Sequence, residues 1–335
     1  MTLLQAILHA TAFRSPLLRT LVPTVALAYG VQAAVAVPSI AAKTETYYDL
    51  SGSLTYLSCT AFSLFLPYLR ARSAGYITGG LTEYLSAPGP GQGAWFWRQA
   101  VLSAAVGLWA TRLGTYLFQR IKADGHDSRF DSIRNSPGKF LGAFFAQATW
   151  VSLCLLPVIG VNALPRAAFA LTRIEKVTTK IPTAISASPY WTDILGIALF
   201  VFGIGVEIVA DRQKSQWVTE KKEKKHDEDF LTRGLWSKSR HPNYFGESTL
   251  WTGIAVAAGG LLVRNSAQVG LGLGGVSGKI AVLSMCAVSP AFVTFLLLKV
   301  SGVPLSENKY DKRYGDRKDY QQWKENTPMF VPKLF

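Results

Sequence analysis

What this chain has little of sets its first limits. Of 335 residues only three are cysteine (Cys59, Cys154 and Cys286), and none stands in a CxxC pair or at a Cys/His ligand spacing. That argues against a disulfide framework and a metal site; all three lie in apolar runs and read as small buried hydrophobes. Charge is scarce as well, at 17% of residues against 49% hydrophobic. Acids are the rarer sign, 21 against 35 Lys and Arg, which leaves a net charge of +14. A basic excess can serve nucleic acid, but here it is concentrated in loops between apolar runs, so no nucleic-acid partner is expected. A dinucleotide fingerprint is also missing. The run GLGLGG at 270–275 sits in a short connection with no strand before it and reads as a turn.

What is present is a series of long apolar segments. Seven are drawn at roughly 17–38, 48–69, 96–118, 140–162, 191–211, 244–263 and 279–299, near the roughly 20 residues that cross a bilayer as helix. The expected fold is all-α: a polytopic integral membrane protein with about six to seven transmembrane helices. The first segment is the weakest, punctuated by Pro16, Pro23 and Pro38. Arg14 and Arg19, with no acid near, leave a cleavable targeting segment as the alternative to an uncleaved first span. The loops alternate in charge. One side holds eleven Lys and Arg; the other holds twenty-three, mostly at 120–139, 212–240 and from 299 onward. The positive-inside rule puts the richer side, with the C-terminus, in the cytosol. A Pro/Gly-rich connection at 81–95 divides 1–94, spans of unassigned role, from a membrane domain at 95–335 with a cytosolic tail.

Four places carry polar groups in or against the spans. The third segment contains Arg112, with Arg120 about two turns on. An arginine at helix depth costs about 2.5–3.5 kcal/mol on insertion scales and calls for an anion. That anion is either a structural partner, Glu207 or Glu247, or a ligand phosphate or carboxylate. The fifth segment ends with Glu207, Asp211 and Lys214, the two acids four apart on one helical face. Lys221 to Lys225 just beyond read as a solvated, disordered loop in contact with anionic lipid. At the next boundary stand Arg240-His241-Pro242-Asn243-Tyr244-Phe245-Gly246-Glu247, with Glu247 one turn inside the apolar run. Burying such groups costs several kcal/mol unless they find partners, which points to a wet, ligand-holding cavity. The tail interleaves Tyr310, Tyr314, Tyr320 and Trp323 with cations such as Arg313 and Arg317. It is either a surface helix covering the membrane face or a ligand element offering rings and cations.

Taken in order, W-x-x-R-L at 109–113, E-x-x-A-D-x-Q-K at 207–214, G-L-W-x-x-S-R-H-P-N-Y-F-G-E at 234–247 and a tail of K-Y, R-Y-G and P-x-F-x-P resemble one family. It is the membrane family with a steroid 5-alpha-reductase C-terminal-like domain of unknown function, relatives of the sterol and steroid reductases. The resemblance covers about residues 95–335. It implies NADPH as cofactor and hydride delivery to a double bond of a lipophilic small molecule taken from the lipid bilayer. On it, Asp211 falls on an acid that contacts the cofactor, Asn243 and Tyr244 on residues near the nicotinamide, and Arg112 on a phosphate-side arginine. Glu247 falls at the cofactor–substrate junction, and Tyr310, Arg313 and Tyr314 in the tail element that closes over the cofactor. Arg120, Glu207, Lys214, Trp236, Arg240, His241 and Tyr320 complete the expected cofactor set, and Glu247 and Tyr244 are the expected catalytic pair. Two departures stand out: Glu207 replaces an asparagine, and Trp109 replaces the tyrosine that polarises a steroid carbonyl. An indole N–H cannot protonate an enolate as a phenol does, which leaves Tyr116 or Tyr244 to substitute. An endoplasmic-reticulum location is expected. Two other classes remain open. Membrane methyltransferases of the isoprenylcysteine or phospholipid type share R-H-P-x-Y and use S-adenosylmethionine, and a lipid-binding protein could keep the fold without catalysis.

Overall fold

The computed structural model describes residues 2–76, 78–82, 97–165, 168 and 188–333. It is 78% helix with no strand among the described residues. After a short α1 (Leu3–Ala10), the long helices are α2 (Pro16–Ala41), α3 (Tyr48–Ser73), α4 (Trp97–Asp124), α5 (Pro137–Asn162), α6 (Trp191–Lys222) and α7 (Pro242–Leu262). A short α8 (Asn265–Gly270) follows, then α9 (Gly275–Phe295), a π-helical turn (Leu296–Val300), α10 (Val303–Tyr314) and α11 (Lys318–Asn326). Every apolar segment expected from the sequence is a helix. The boundary expected at 94 and 95, and nearly all of the loop 81–95, lie outside the described residues.

Among the described residues, five helices are long and apolar enough to cross a membrane: α2, α4, α5, α6 and the run that begins with α9. The chain is an all-helical, polytopic integral membrane protein. The helices α3 and α7 fall short of that apolarity for a visible reason. α3 buries Ser51, Ser53, Thr55, Thr60 and Ser63, and α7 opens with Asn243, Glu247 and Ser248. Proline does not break α2: Pro16 takes the first turn, where no N–H is needed, while Pro23 and Pro38 sit inside the helix. The stretch from Lys221 differs from expectation. α6 runs to Lys222, about three turns past the apolar run, and Lys221 bonds to Asp229 at 3.1 Å instead of trailing in solvent.

The chain divides into two compact units. The first comprises Met1–Asp193 with Ala258–Val288, the second Ile194–Ala257 with Ser289–Phe335. The first unit packs α2, α3, α4 and α5 around a polar seam. Gln32 donates to Thr55 at 2.7 Å and accepts from Ser51 at 3.3 Å. Gln147 donates to Ser51 at 3.2 Å, and Asn162 donates to Ser63 at 3.0 Å and Ser103 at 3.2 Å. Buried amides are tolerated because their donors are taken up by neighbouring side chains, although the Asn162 Oδ1 accepts no hydrogen bond among the described residues. The Arg98 guanidinium, 1% exposed, grips Asp193 through Nε and Nη2, the latter at 2.7 Å. The three cysteines are buried, and Gly272 and Gly275 adopt positive φ of 68° and 66°, as a turn requires.

Candidate functional site

The second unit is organised by how closely α6 and α7 approach. A Cβ on Gly246 would lie 2.6 Å from the Gly203 carbonyl oxygen and 2.7 Å from the Glu207 nitrogen. A Cβ on Gly203 would lie 2.5 Å from the Leu250 nitrogen. Gly196 and Gly253 meet in the same way one heptad along. Only glycine permits backbones this close. The result is a fixed antiparallel register in which Glu207 backs on Gly246 and Asp211 meets Asn243, whose Nδ2 donates to Asp211 at 3.3 Å. Glu207, Asp211 and Glu247 are all buried, at 3%, 7% and 7% exposure. The other end of the Asn243 amide, Oδ1, is buried and accepts no hydrogen bond among the described residues.

The octapeptide is held from the other side by the tail. Arg240 donates to Glu307 at 2.7 Å and His241 shares Glu307 at 3.0 Å, while Lys324 reaches the same carboxylate at 3.1 Å. Backbone bonds from Arg240 to Pro328 and from Lys333 to Lys238, both at 2.9 Å, fasten the chain end alongside. His241 is buried, and that burial pushes its pKa below the ordinary imidazole value, against the upward pull of Glu307. The ring is thereby biased toward the neutral form. It stacks on Tyr244 at 5.4 Å with 7° between planes. Gly302, two residues past the π turn, also approaches Tyr244: a Cβ there would come within 2.8 Å of the phenol ring. π turns of this kind recur where a helix is re-aimed at functional sites.

Between octapeptide and tail lies a narrow cleft of about 40 Å³, lined by Lys214, Trp236, Arg240, His241, Tyr310 and Tyr320 among others. Six residues expected from the sequence as cofactor ligands thus border one space. Trp236 is fixed by an indole N–H bond to the Ala210 carbonyl at 3.0 Å, and the Lys214 ammonium lies 5.4 Å from its ring. Phe230, Tyr314, Tyr320 and Trp323 form a ring cluster with centroids 5.2–6.2 Å apart, Tyr320 being 2% exposed. Arg313 is exposed on Tyr314, 5.2 Å from its ring.

The remaining expected residues belong to the first unit. Arg112 is half-buried on α4. Arg120, 42% exposed, reaches Asp49 at 3.5 Å and Asp127 at 3.8 Å, in a surface ion cluster. Trp109 is fully buried and meets the Tyr56 ring edge-on at 5.0 Å. Sequence reasoning missed Glu307, the acid that Arg240 and His241 share, although it was visible as the first acid of the cationic tail. It also missed the glycines seven apart on each helix, 196 and 203 on α6 and 246 and 253 on α7, whose spacing marks a close-packed seam. No group of three or more His, Cys, Asp or Glu able to hold a metal occurs among the described residues.

The sequence model of a family described as "Protein of unknown function (DUF1295)" matches residues 80–327. No curated protein and no solved structure matches the chain.

Proposed function

The chain belongs to the DUF1295 family, and from that premise we propose that it is an NADPH-dependent membrane oxidoreductase reducing a double bond of a lipophilic substrate of steroid, sterol or fatty-acyl type. One observation carries the reading. Along the glycine seam stand the buried Glu207, Asp211 and Glu247 and the partly buried Asn243, and three residues on, Lys214 on α6 and Arg240 just ahead of α7 border the cleft. Buried acids and an amide next to cations and rings suit a ligand with a polar carboxamide at one end and phosphates further on.

The residues present fit that cofactor on two counts. The Asn243 Oδ1 is a buried acceptor that meets no donor among the described residues, and a nicotinamide carboxamide would supply one. Lys214 and Arg240 offer charge-assisted bonds to phosphate, and Tyr310 and Tyr320 offer ring surface. The cleft's 40 Å³ is far smaller than a dinucleotide, so entry requires α10 and α11 to move and Glu307 to release Arg240. The bound cofactor would supply the hydride. Tyr244, stacked on His241 and approached by Gly302, and the buried Glu247 are the groups suited to hold the proton that the reduced double bond takes up. Trp109 cannot donate as a phenol would, which argues against a 4-en-3-one steroid as substrate. The positive-inside bias puts the tail in the cytosol, where NADPH is available, with the endoplasmic reticulum as the membrane.

A second reading has one specific support. The cleft is lined by the rings of Trp217, Phe230, Trp236, Tyr310, Tyr320 and Trp323, a setting that also suits the cationic sulfonium of S-adenosylmethionine. Thermal shift of the purified protein with NADPH, NADH and S-adenosylmethionine separates the two. The oxidoreductase reading expects NADPH to stabilise most, by about 2.7 kcal/mol at a hundredfold excess over its Kd. A shift with S-adenosylmethionine alone would replace it with the methyltransferase reading, and no shift with any of the three would favour a lipid-binding protein without catalysis.

A further inference from the structure

Helix α10 sorts its charges by face. The buried Val303 and Tyr314 share one stripe with the partly buried Glu307, Tyr310 and Asp311, and Glu307 and Tyr310 line the cleft. Leu305, Asn308, Lys309, Lys312 and Arg313 form the opposite stripe, and all of them are exposed. Both acids of the helix therefore face inward, and both are used. Glu307 holds Arg240, His241 and Lys324, while Asp311 takes Lys324 at 2.6 Å and the Tyr320 hydroxyl at 2.8 Å. The ion pairs of this helix all run inward from these acids. Among the described residues none reaches Lys309, Lys312 or Arg313.

The outward stripe begins where the last apolar run ends. α9, the π turn and α10 follow one another almost without a break. The exposed Phe295, Val300 and Leu305 carry an apolar edge from the span onto α10, with the exposed Lys299 beside them. Compensation of the helix dipole explains cations in the last turn, Lys312 and Arg313. It does not explain Lys309 in mid-helix or an exposed leucine in the first turn. A helix that leaves a span with apolar residues and then cations on one face suits the headgroup layer of a bilayer. By the positive-inside bias this is the cytosolic leaflet, whose anionic lipids attract basic segments. We propose that the outer face of α10 is a docking surface for the headgroups of anionic phospholipid. Leu305 sits at the acyl boundary, and Lys309, Lys312 and Arg313 bind the headgroup phosphates. The inference does not depend on what fills the cleft.

The test reads the lipid beside α10 in the full-length protein. The native cysteines are buried, so Asn308→Cys places one exposed thiol on the outer stripe for a fluorophore. The labelled protein is put into phosphatidylcholine nanodiscs containing a small fraction of quencher, either spin-labelled phosphatidylserine or spin-labelled phosphatidylcholine. The serine lipid should be enriched at the fluorophore about fivefold over the choline lipid. Salt at about 1 M, with a screening length near 3 Å, should remove most of that preference. Lys309→Gln, Lys312→Gln and Arg313→Gln together should abolish it, and Lys309→Gln alone should lower it about twofold. Lys139→Gln, Lys222→Gln and Lys224→Gln together remove the same charge elsewhere on the basic side and should leave it intact. All six positions are exposed, and melting temperatures equal to wild type certify the fold of both triple variants. Equal quenching by the two lipids in the wild type, or a preference that survives the α10 triple variant, overturns the docking surface. An equal loss in the comparison variant also overturns it, because net charge alone would then be responsible. Displacement of the quenching lipid by micromolar polyglutamate would overturn it in favour of an acidic protein partner.

Discussion

The Arg98–Asp193 pair of the first unit and the glycine seam of the second bury polarity in opposite ways. In the first, the donors and acceptors around the Arg98–Asp193 pair are consumed: the guanidinium takes both Asp193 oxygens and the Ser188 carbonyl at 2.8 Å. The Tyr190 backbone N–H then donates to the same carboxylate at 2.7 Å. In the second, three buried acids and Asn243 stand along the glycine seam, and the Asn243 Oδ1 accepts no hydrogen bond among the described residues. The narrow cleft opens within a few turns of them. Buried charge alone therefore says little about function. What separates a clasp from a site is whether bonding capacity is left over and whether there is space next to it.

The comparison can be broken most forcefully at Asp193. Asp193→Ala leaves the Arg98 guanidinium buried without its anion and should cost about 3–5 kcal/mol, read as a lowered unfolding midpoint in detergent. A loss below about 1 kcal/mol would mean that the pair is not a structural clasp. Gly246→Ala comes next. Its Cβ has backbone atoms at 2.6 and 2.7 Å, so α6 and α7 must separate, at about 1–3 kcal/mol, and nucleotide-induced stabilisation should disappear with the patch. An undiminished ligand shift in that variant would dissociate the seam from the site.

The smallest effect belongs to His241. Its folded pKa is depressed, so the unfolded chain binds the proton more readily. Its contribution to stability is complete above the unfolded value of about 6.5 and is lost as pH falls through the lower folded value. The melting temperature should decline below about pH 6.5, and His241→Gln should flatten that decline. An identical acid slope in wild type and variant would remove His241 as its source.

Much of this was legible in the sequence. Helix positions followed from apolar length, and the octapeptide stood out because Glu247 lies inside an apolar run. The buried cysteines and the turn at 270–275 were equally plain, since both depend only on local composition. What sequence could not supply was pairing. Nothing in the spacing says that Arg240 and His241 share Glu307, some 66 residues on, because that contact is made by how the tail folds back. The extent of α6 past the apolar run was also hidden. Its last turns are held by tertiary bonds, from Trp217 to Glu228 and from Lys221 to Asp229, not by helix propensity alone.

Glu247→Gln tests the central claim most directly, through two numbers from one protein: the melting temperature without ligand and the shift that NADPH induces. If Glu247 belongs to a ligand site, the variant should melt within a few degrees of wild type and lose most of the NADPH shift, and Asn243→Leu should lose it too. A large fall in the ligand-free melting temperature together with an undiminished NADPH shift would make the octapeptide a structural clasp like Arg98 and Asp193, and would contradict the account.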